Sequence, residues 1–143
     1  MPLKPINTKD RYKAIKNNPR DALRYAQKLN KRVPELEPII LKDAKASMNY
    51  SYSVLKQRWP QAEPLILKNA HDSSWYAEHV IKKRWPEAEP LILKNSNAAV
   101  YYAYGVIKKR WPEAEHIIKQ NKDDWKFYVN MISSRKPKAF LTP

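Results

Sequence analysis

The sequence predicts an all-α fold, a short α-solenoid of two-helix repeats, from three observations. Arg58-Trp59-Pro60, Arg84-Trp85-Pro86 and Arg110-Trp111-Pro112 recur every 26 residues, and Arg32-Val33-Pro34 stands one period earlier. A unit this short cannot bury its own apolar face, so neighbouring units must supply each other's core. Within each unit, Pro and Asn or Asp hold fixed columns where they stop one helix and start the next.

The elements follow in order along a single repeat domain. Residues 1–17 form a basic N-terminal arm. Residues 18–31 read as a degenerate opening unit: Asn18-Pro19 is an N-cap followed by Pro at the first helical position, and Tyr25, Ala26 and Leu29 echo later columns. Four units follow at 32–57, 58–83, 84–109 and 110–135, and a loose tail at 136–143.

Each unit opens with Pro in its third column, which suits a first helical turn and forces the preceding Trp or Val out of the α region. A first helix then runs through Glu87-Ala88-Glu89-Pro90-Leu91-Ile92-Leu93-Lys94, with its acids at the positive end of the macrodipole. Pro38, Pro64 and Pro90 fall inside it, so it should be short, kinked or partly 3₁₀. The chain has one glycine, Gly105. Asp43, Asn69, Asn95 and Asn121 take the break instead, as left-handed C-caps or as N-caps. A second helix of roughly three turns follows, such as 97–109, and ends in a Lys pair favoured by the dipole. The last unit drifts toward polarity, with Lys119 for Leu and Ser133-Ser134 for Ile-Lys, as an end unit requires.

The invariant columns belong to the fold. Trp59, Trp85 and Trp111 each follow a helix end and read as junction core, as do Tyr50, Tyr76, Tyr102 and Tyr128. A buried Trp or Tyr removes roughly 150–250 Å² from water, a gross ~4–6 kcal/mol at about 25 cal/mol/Å². Arg32, Arg58, Arg84 and Arg110 each stand five residues before an invariant Glu, which predicts an Arg–Glu staple at every junction.

The core RWPEAEPLILKN, followed by YYAYGVIKKRWPEAE, resembles short tandem repeats of tailed bacteriophages and related viral sequences, over about residues 32–135. Lys83 and Lys109 stand where that pattern carries Gly, and Val33 where it carries Trp. The resemblance implies a phage-encoded α-helical array and brings no activity with it. In style, the short-helix/long-helix rhythm is also similar to HEAT and leucine-rich-variant arrays, an analogy of architecture alone.

Composition narrows the function classes. With no cysteine, disulfides, thiolate metal sites and a Cys nucleophile are excluded. Met1-Pro2-Leu3-Lys4 opens no apolar h-region and no apolar run reaches membrane-spanning length, so the expectation is a soluble cytoplasmic protein that is not secreted and does not engage a membrane. A single glycine leaves no room for a Gly-rich phosphate loop. His71, His79 and His116 match no strong metal or triad spacing. The chain reads as no enzyme, with no cofactor and no small-molecule substrate.

Two binding readings remain. The columns that vary are Lys45, His71, Asn97 and Asp123; Asn49, Trp75, Tyr101 and Phe127; and Tyr52, Glu78, Tyr104 and Asn130. Aromatic and polar residues that change from unit to unit are the composition of a protein-contact surface, with Trp75, Tyr101, Phe127, Tyr52, Glu78, Tyr104 and His71 as candidates. Against this stands a net charge of +14, half of it within residues 1–31. On the alternative reading Lys4, Lys9, Arg11, Lys13, Lys16, Arg20, Arg24, Lys28 and Lys31 grip nucleic-acid phosphates, extended by Lys82, Lys83, Lys108 and Lys109. Protein binding is favoured narrowly, because stacked helices repeat at roughly 10 Å and the phosphates of one duplex strand at about 3.4 Å.

Overall fold

The computed structural model describes residues 15 and 17–135, and every regular element among them is helical. Lys4, Lys9, Arg11, Lys13 and Lys16 of the expected basic arm, and the tail 136–143, lie outside the described residues. Helix pairs recur every 26 residues, as the repeat requires, and the contacts fall into two compact units divided between Ala62 and Glu63.

In the first unit, α1 (Pro19–Leu29) begins as its sequence dictates: the Asn18 side chain accepts from the N–H groups of Arg20 and Asp21, with Pro19 at the first helical position. Its buried stripe of Ala22, Leu23 and Ala26 packs on the next helix pair, α2 (Glu37–Ile40) and α3 (Ala44–Tyr50). The second unit repeats the pair twice, as α4 (Glu63–Ile66) with α5 (Ala70–Tyr76), then α6 (Glu89–Ile92) with α7 (Ser96–Tyr102). It closes with α8 (Pro112–Ile118) and α9 (Lys122–Arg135). There α5 packs on α7, and α7 on both α8 and α9.

The seventh-column proline sets the length of each first helix. Where Pro38, Pro64 and Pro90 occur, the helix has four residues, and a 3₁₀ turn at Pro34–Leu36 leads into the earliest. In the last unit His116 replaces that proline, and the helix lengthens to seven residues starting at Pro112. Asp43, Asn69, Asn95 and Asn121 are all N-caps, each accepting from the N–H three residues on at 2.8–3.0 Å. None of them serves as a left-handed C-cap.

Three of the four second helices depart from regular α geometry, and the last, α9, does not. Ser51–Leu55, Ala77–Ile81 and Ala103–Ile107 each form one π turn after α3, α5 and α7. Lys82 and Lys108 close theirs by donating across five residues to Ala77 and Ala103 at 2.7 Å. The closing residues Lys56, Lys82 and Lys108 take left-handed backbone with φ of 54°, 60° and 60°. Glycine is the ordinary choice there, since a side chain costs about 1–2 kcal/mol in that conformation. A cation at the negative helix end returns part of that cost.

One hydrogen-bonded frame repeats at the junctions. The Trp85 N–H donates to the Tyr102 hydroxyl at 2.7 Å, and that hydroxyl donates to Glu89 Oε1 at 2.8 Å. Arg84 forks onto the same carboxylate through Nε and Nη2 at 2.7 and 2.9 Å. Val33, Tyr50, Glu37 and Arg32 make the equivalent set, as do Trp111, Tyr128, Glu115 and Arg110. Tyr76 lies 3.5 Å from Glu63 in the remaining unit. Each tyrosine ring also packs on the tryptophan nine residues on, with centroids 5.0–5.3 Å apart for Tyr50–Trp59, Tyr76–Trp85 and Tyr102–Trp111. All of these Tyr and Trp side chains are buried, together with Ile40, Ile66, Ile92 and Ile118. In the last described helix pair Trp125 stacks on Tyr128, and Lys119 sits 4.8 Å over the Trp125 ring.

The left-handed lysines generate a direct prediction. Lys108→Gly relieves the side-chain clash and should exceed Lys108→Ala in unfolding free energy by about 0.5–1 kcal/mol, since both variants drop the cation and only alanine keeps the Cβ. Urea denaturation measures this, and a glycine value equal to or below the alanine value contradicts strain at that position.

Candidate functional site

Fixed columns place the variable ones. Because Tyr76, Tyr102 and Tyr128 are pinned inward by their frames, the residues just before them must face outward on the same helices. These are Trp75, Tyr101 and Phe127, with Glu78, Tyr104 and Asn130 one turn on. Stacking of α5, α7 and α9 then sets the two columns side by side, and they line a groove of about 670 Å³ in the second unit. His79, Met131 and Ser134 complete its wall.

The groove is aromatic and open to solvent. Tyr101, Tyr104 and Phe127 remain 49%, 38% and 47% exposed, while Trp75 is half-buried. Trp75 packs against His79 with ring centroids 4.6 Å apart, and Tyr101 leans on Phe127 at 6.2 Å. Glu78 is the one acidic side chain on the wall, and no Lys or Arg lines it among the described residues. Its side chain is 31% exposed, and its carboxylate lies 3.7 Å from His79 Nε2. Gly105 explains how it fits: a Cβ there would stand 2.2 Å from the Glu78 carboxyl carbon. The chain's single glycine is therefore a notch for this side chain, in negative-φ helical backbone.

The remaining sequence candidates sit elsewhere. His71 faces a polar ladder at the starts of the second helices, with Nε2 3.1 Å from Asn97 Oδ1. Asn97 Nδ2 donates to Asp124 at 3.0 Å, and Ser96 Oγ donates to the other oxygen of Asp124 at 2.5 Å. Asp124, rather than its neighbour Asp123, closes that ladder. Tyr52 belongs to the first unit and is 51% exposed. Lys45 and Asn49 are exposed, and Asn49 donates back to the Lys45 carbonyl at 3.1 Å. Of the candidate phosphate contacts, Arg20, Arg24, Lys28 and Lys31 are exposed on or just after α1, as are Lys82, Lys83, Lys108 and Lys109. Sequence reasoning did not find His79, Met131 or Ser134 as groove residues. His79 and Met131 share a column that otherwise carries Ser53 and Gly105, and the column of Ser134 otherwise carries Lys, so only the packed helices show which of them face the groove.

The chain has no match among protein-family models, curated proteins or solved structures. Among the described residues no group of three or more His, Asp or Glu is placed to hold a metal ion, and no helix is long and apolar enough to cross a membrane.

The frame beneath the groove has its own electrostatics. The hydrogen bonds from Arg84 and Arg110 hold the Glu89 and Glu115 carboxyls below the ordinary glutamate range. Burial pushes the Tyr50 hydroxyl up to about 12, and raises Tyr102 and Tyr128 as well. A depressed carboxylate lends stability above its unfolded-state pKa and loses it as pH falls through the folded value; a raised phenol does so below its unfolded-state pKa and loses it as pH climbs. The melting midpoint should therefore be flat from about pH 6 to 9, drop in acid below the ordinary glutamate pKa near 4.3, and drop in alkali above the ordinary tyrosine pKa near 10. A midpoint that holds or rises beyond pH 11 contradicts the tyrosine assignment.

Proposed function

We propose that this chain is a non-catalytic helical-repeat scaffold that binds another protein through the groove of its second unit. One observation carries the reading. Two of the columns that change from unit to unit line the groove with aromatic rings, while the invariant Tyr and Ile columns are buried. Trp and Tyr anchors with few charges are what the centre of a protein interface uses. Their exposure leaves apolar area that a partner can cover, and the frame holds the backbone that presents them. Rings on rigid helices lose little conformational freedom on binding. The resemblance to phage-associated repeats would place the partner in the host cell or the virion.

A second reading, nucleic-acid binding, is favoured by a specific feature of α1. Arg20, Arg24 and Lys28 are exposed at four-residue spacing and form one basic stripe. Such a stripe grips phosphates irrespective of sequence, and its affinity falls steeply with salt.

The two separate in one experiment. Wild-type protein and a Trp75→Ala/Tyr101→Ala/Tyr104→Ala variant serve as baits, with and without nuclease. The expected outcome is a protein retained by wild type through nuclease treatment and lost with the variant, whose melting temperature stays close to wild type. Retention that is equal for both baits, or that disappears with nuclease, contradicts the protein-binding reading.

A further inference from the structure

The groove's chemistry is more specific than an apolar contact patch. Its wall combines spread aromatic rings with one half-buried carboxylate, and the chain's sole glycine makes the space that carboxylate occupies. Carboxylates are costly to remove from water without a cation. Among the described residues the Glu78 carboxylate lies 3.7 Å from the imidazole of His79, and no Lys or Arg lines the groove. Beyond the groove, residues 63–135 carry 12 Lys and Arg against 9 Asp and Glu. The surroundings are thus weakly basic, and the acidic point is local.

From this we propose that the groove takes an arginine side chain of the partner protein, its guanidinium forked onto Glu78 and laid against the aromatic wall. The inference rests on the protein-binding reading above and adds the chemistry of the docked residue. A guanidinium is planar, offers paired N–H donors that match a carboxylate, and stacks on aromatic faces. The rings that would receive it, Trp75 and Tyr104, line the same groove as Glu78, with Trp75 one turn before it on its own helix, while Tyr101 and Phe127 extend the apolar surface for neighbouring partner side chains. An ammonium fits less well. It gains no bidentate geometry, and the rings are spread along a trough over three repeats rather than closed around a point charge. Solution salt screens the surrounding lysines over about 8 Å, so the short-range pair decides binding.

The test uses the full chain and a blocked peptide, acetyl-Leu-Arg-Leu-amide, titrated while the Trp75 indole N–H signal is followed by NMR. Parallel peptides carry citrulline, lysine or trimethyllysine in place of arginine. Arginine should bind at least about tenfold more tightly than citrulline, which keeps the shape and loses the charge. Lysine and trimethyllysine should be weaker than arginine. Glu78→Gln should erase the preference for arginine over citrulline. Gly105→Ala keeps the charge but drives the new methyl into the carboxylate's place. It should weaken arginine binding several-fold with a melting temperature no lower than wild type, because alanine favours the helix. Equal binding of arginine and citrulline, no detectable arginine binding, or an unchanged preference in Glu78→Gln overturns the inference. Those results would leave protein capture through the aromatic wall standing, since the Trp75/Tyr101/Tyr104 variant tests that separately. Tighter binding of trimethyllysine than arginine would also overturn it.

Discussion

A tyrosine hydroxyl shared between a backbone N–H and a carboxylate is the interaction on which the rest of this molecule depends. In the Tyr102 frame it accepts from Trp85 and donates to Glu89 Oε1, while Arg84 forks onto both oxygens of that carboxylate. The N–H it satisfies belongs to the residue before proline, where the chain has left one helix and has not entered the next. Buried there, that donor would cost about 1–3 kcal/mol if left unmade. The same ring packs on the next tryptophan, so one side chain fixes two successive junctions. Replacement of any member breaks a network and not a single contact.

The proposed function uses positions that this frame does not bury. Positions next to a pinned tyrosine lie outside the buried frame, and they change from unit to unit. Trp75, Tyr101 and Phe127 occupy one such column, and Glu78, Tyr104 and Asn130 another. Regular stacking sets them in register and turns scattered surface residues into a groove. The groove is built on packed helices, so a partner of the kind proposed would spend little free energy on ordering it. The Gly105 notch is the clearest sign of local fitting. One unit gives up its side chain so that its neighbour's carboxylate can lie against it.

Much of the frame was legible in the sequence because its causes are local or periodic. Proline, the Asn or Asp caps and the 26-residue period marked the helix boundaries, and the five-residue Arg–Glu spacing gave the staple. The seventh-column proline foretold short first helices, and the exception at His116 follows the same rule. The π turns were not legible. A helix-period pattern reads alike for α and π over five residues, and lysine gives no sign of left-handed backbone. The bond from tyrosine hydroxyl to backbone N–H spans 17 residues, a separation that no local signal encodes. At the groove, variation singled out Trp75, Glu78, Tyr101 and Tyr104, but it also singled out His71, which packing assigns to a polar ladder. Glu78 against Gly105 required the neighbouring unit to be in place.

The most direct measurement is a double-mutant cycle between Tyr102→Phe and Glu89→Gln, followed by denaturant unfolding. If the hydroxyl and the carboxylate act as one frame, the double variant loses much less than the sum of the two single losses, with a coupling of about 1 kcal/mol or more. Losses that add within about 0.3–0.5 kcal/mol would mean that the two groups hold the junction independently, and the frame would not be its organising unit.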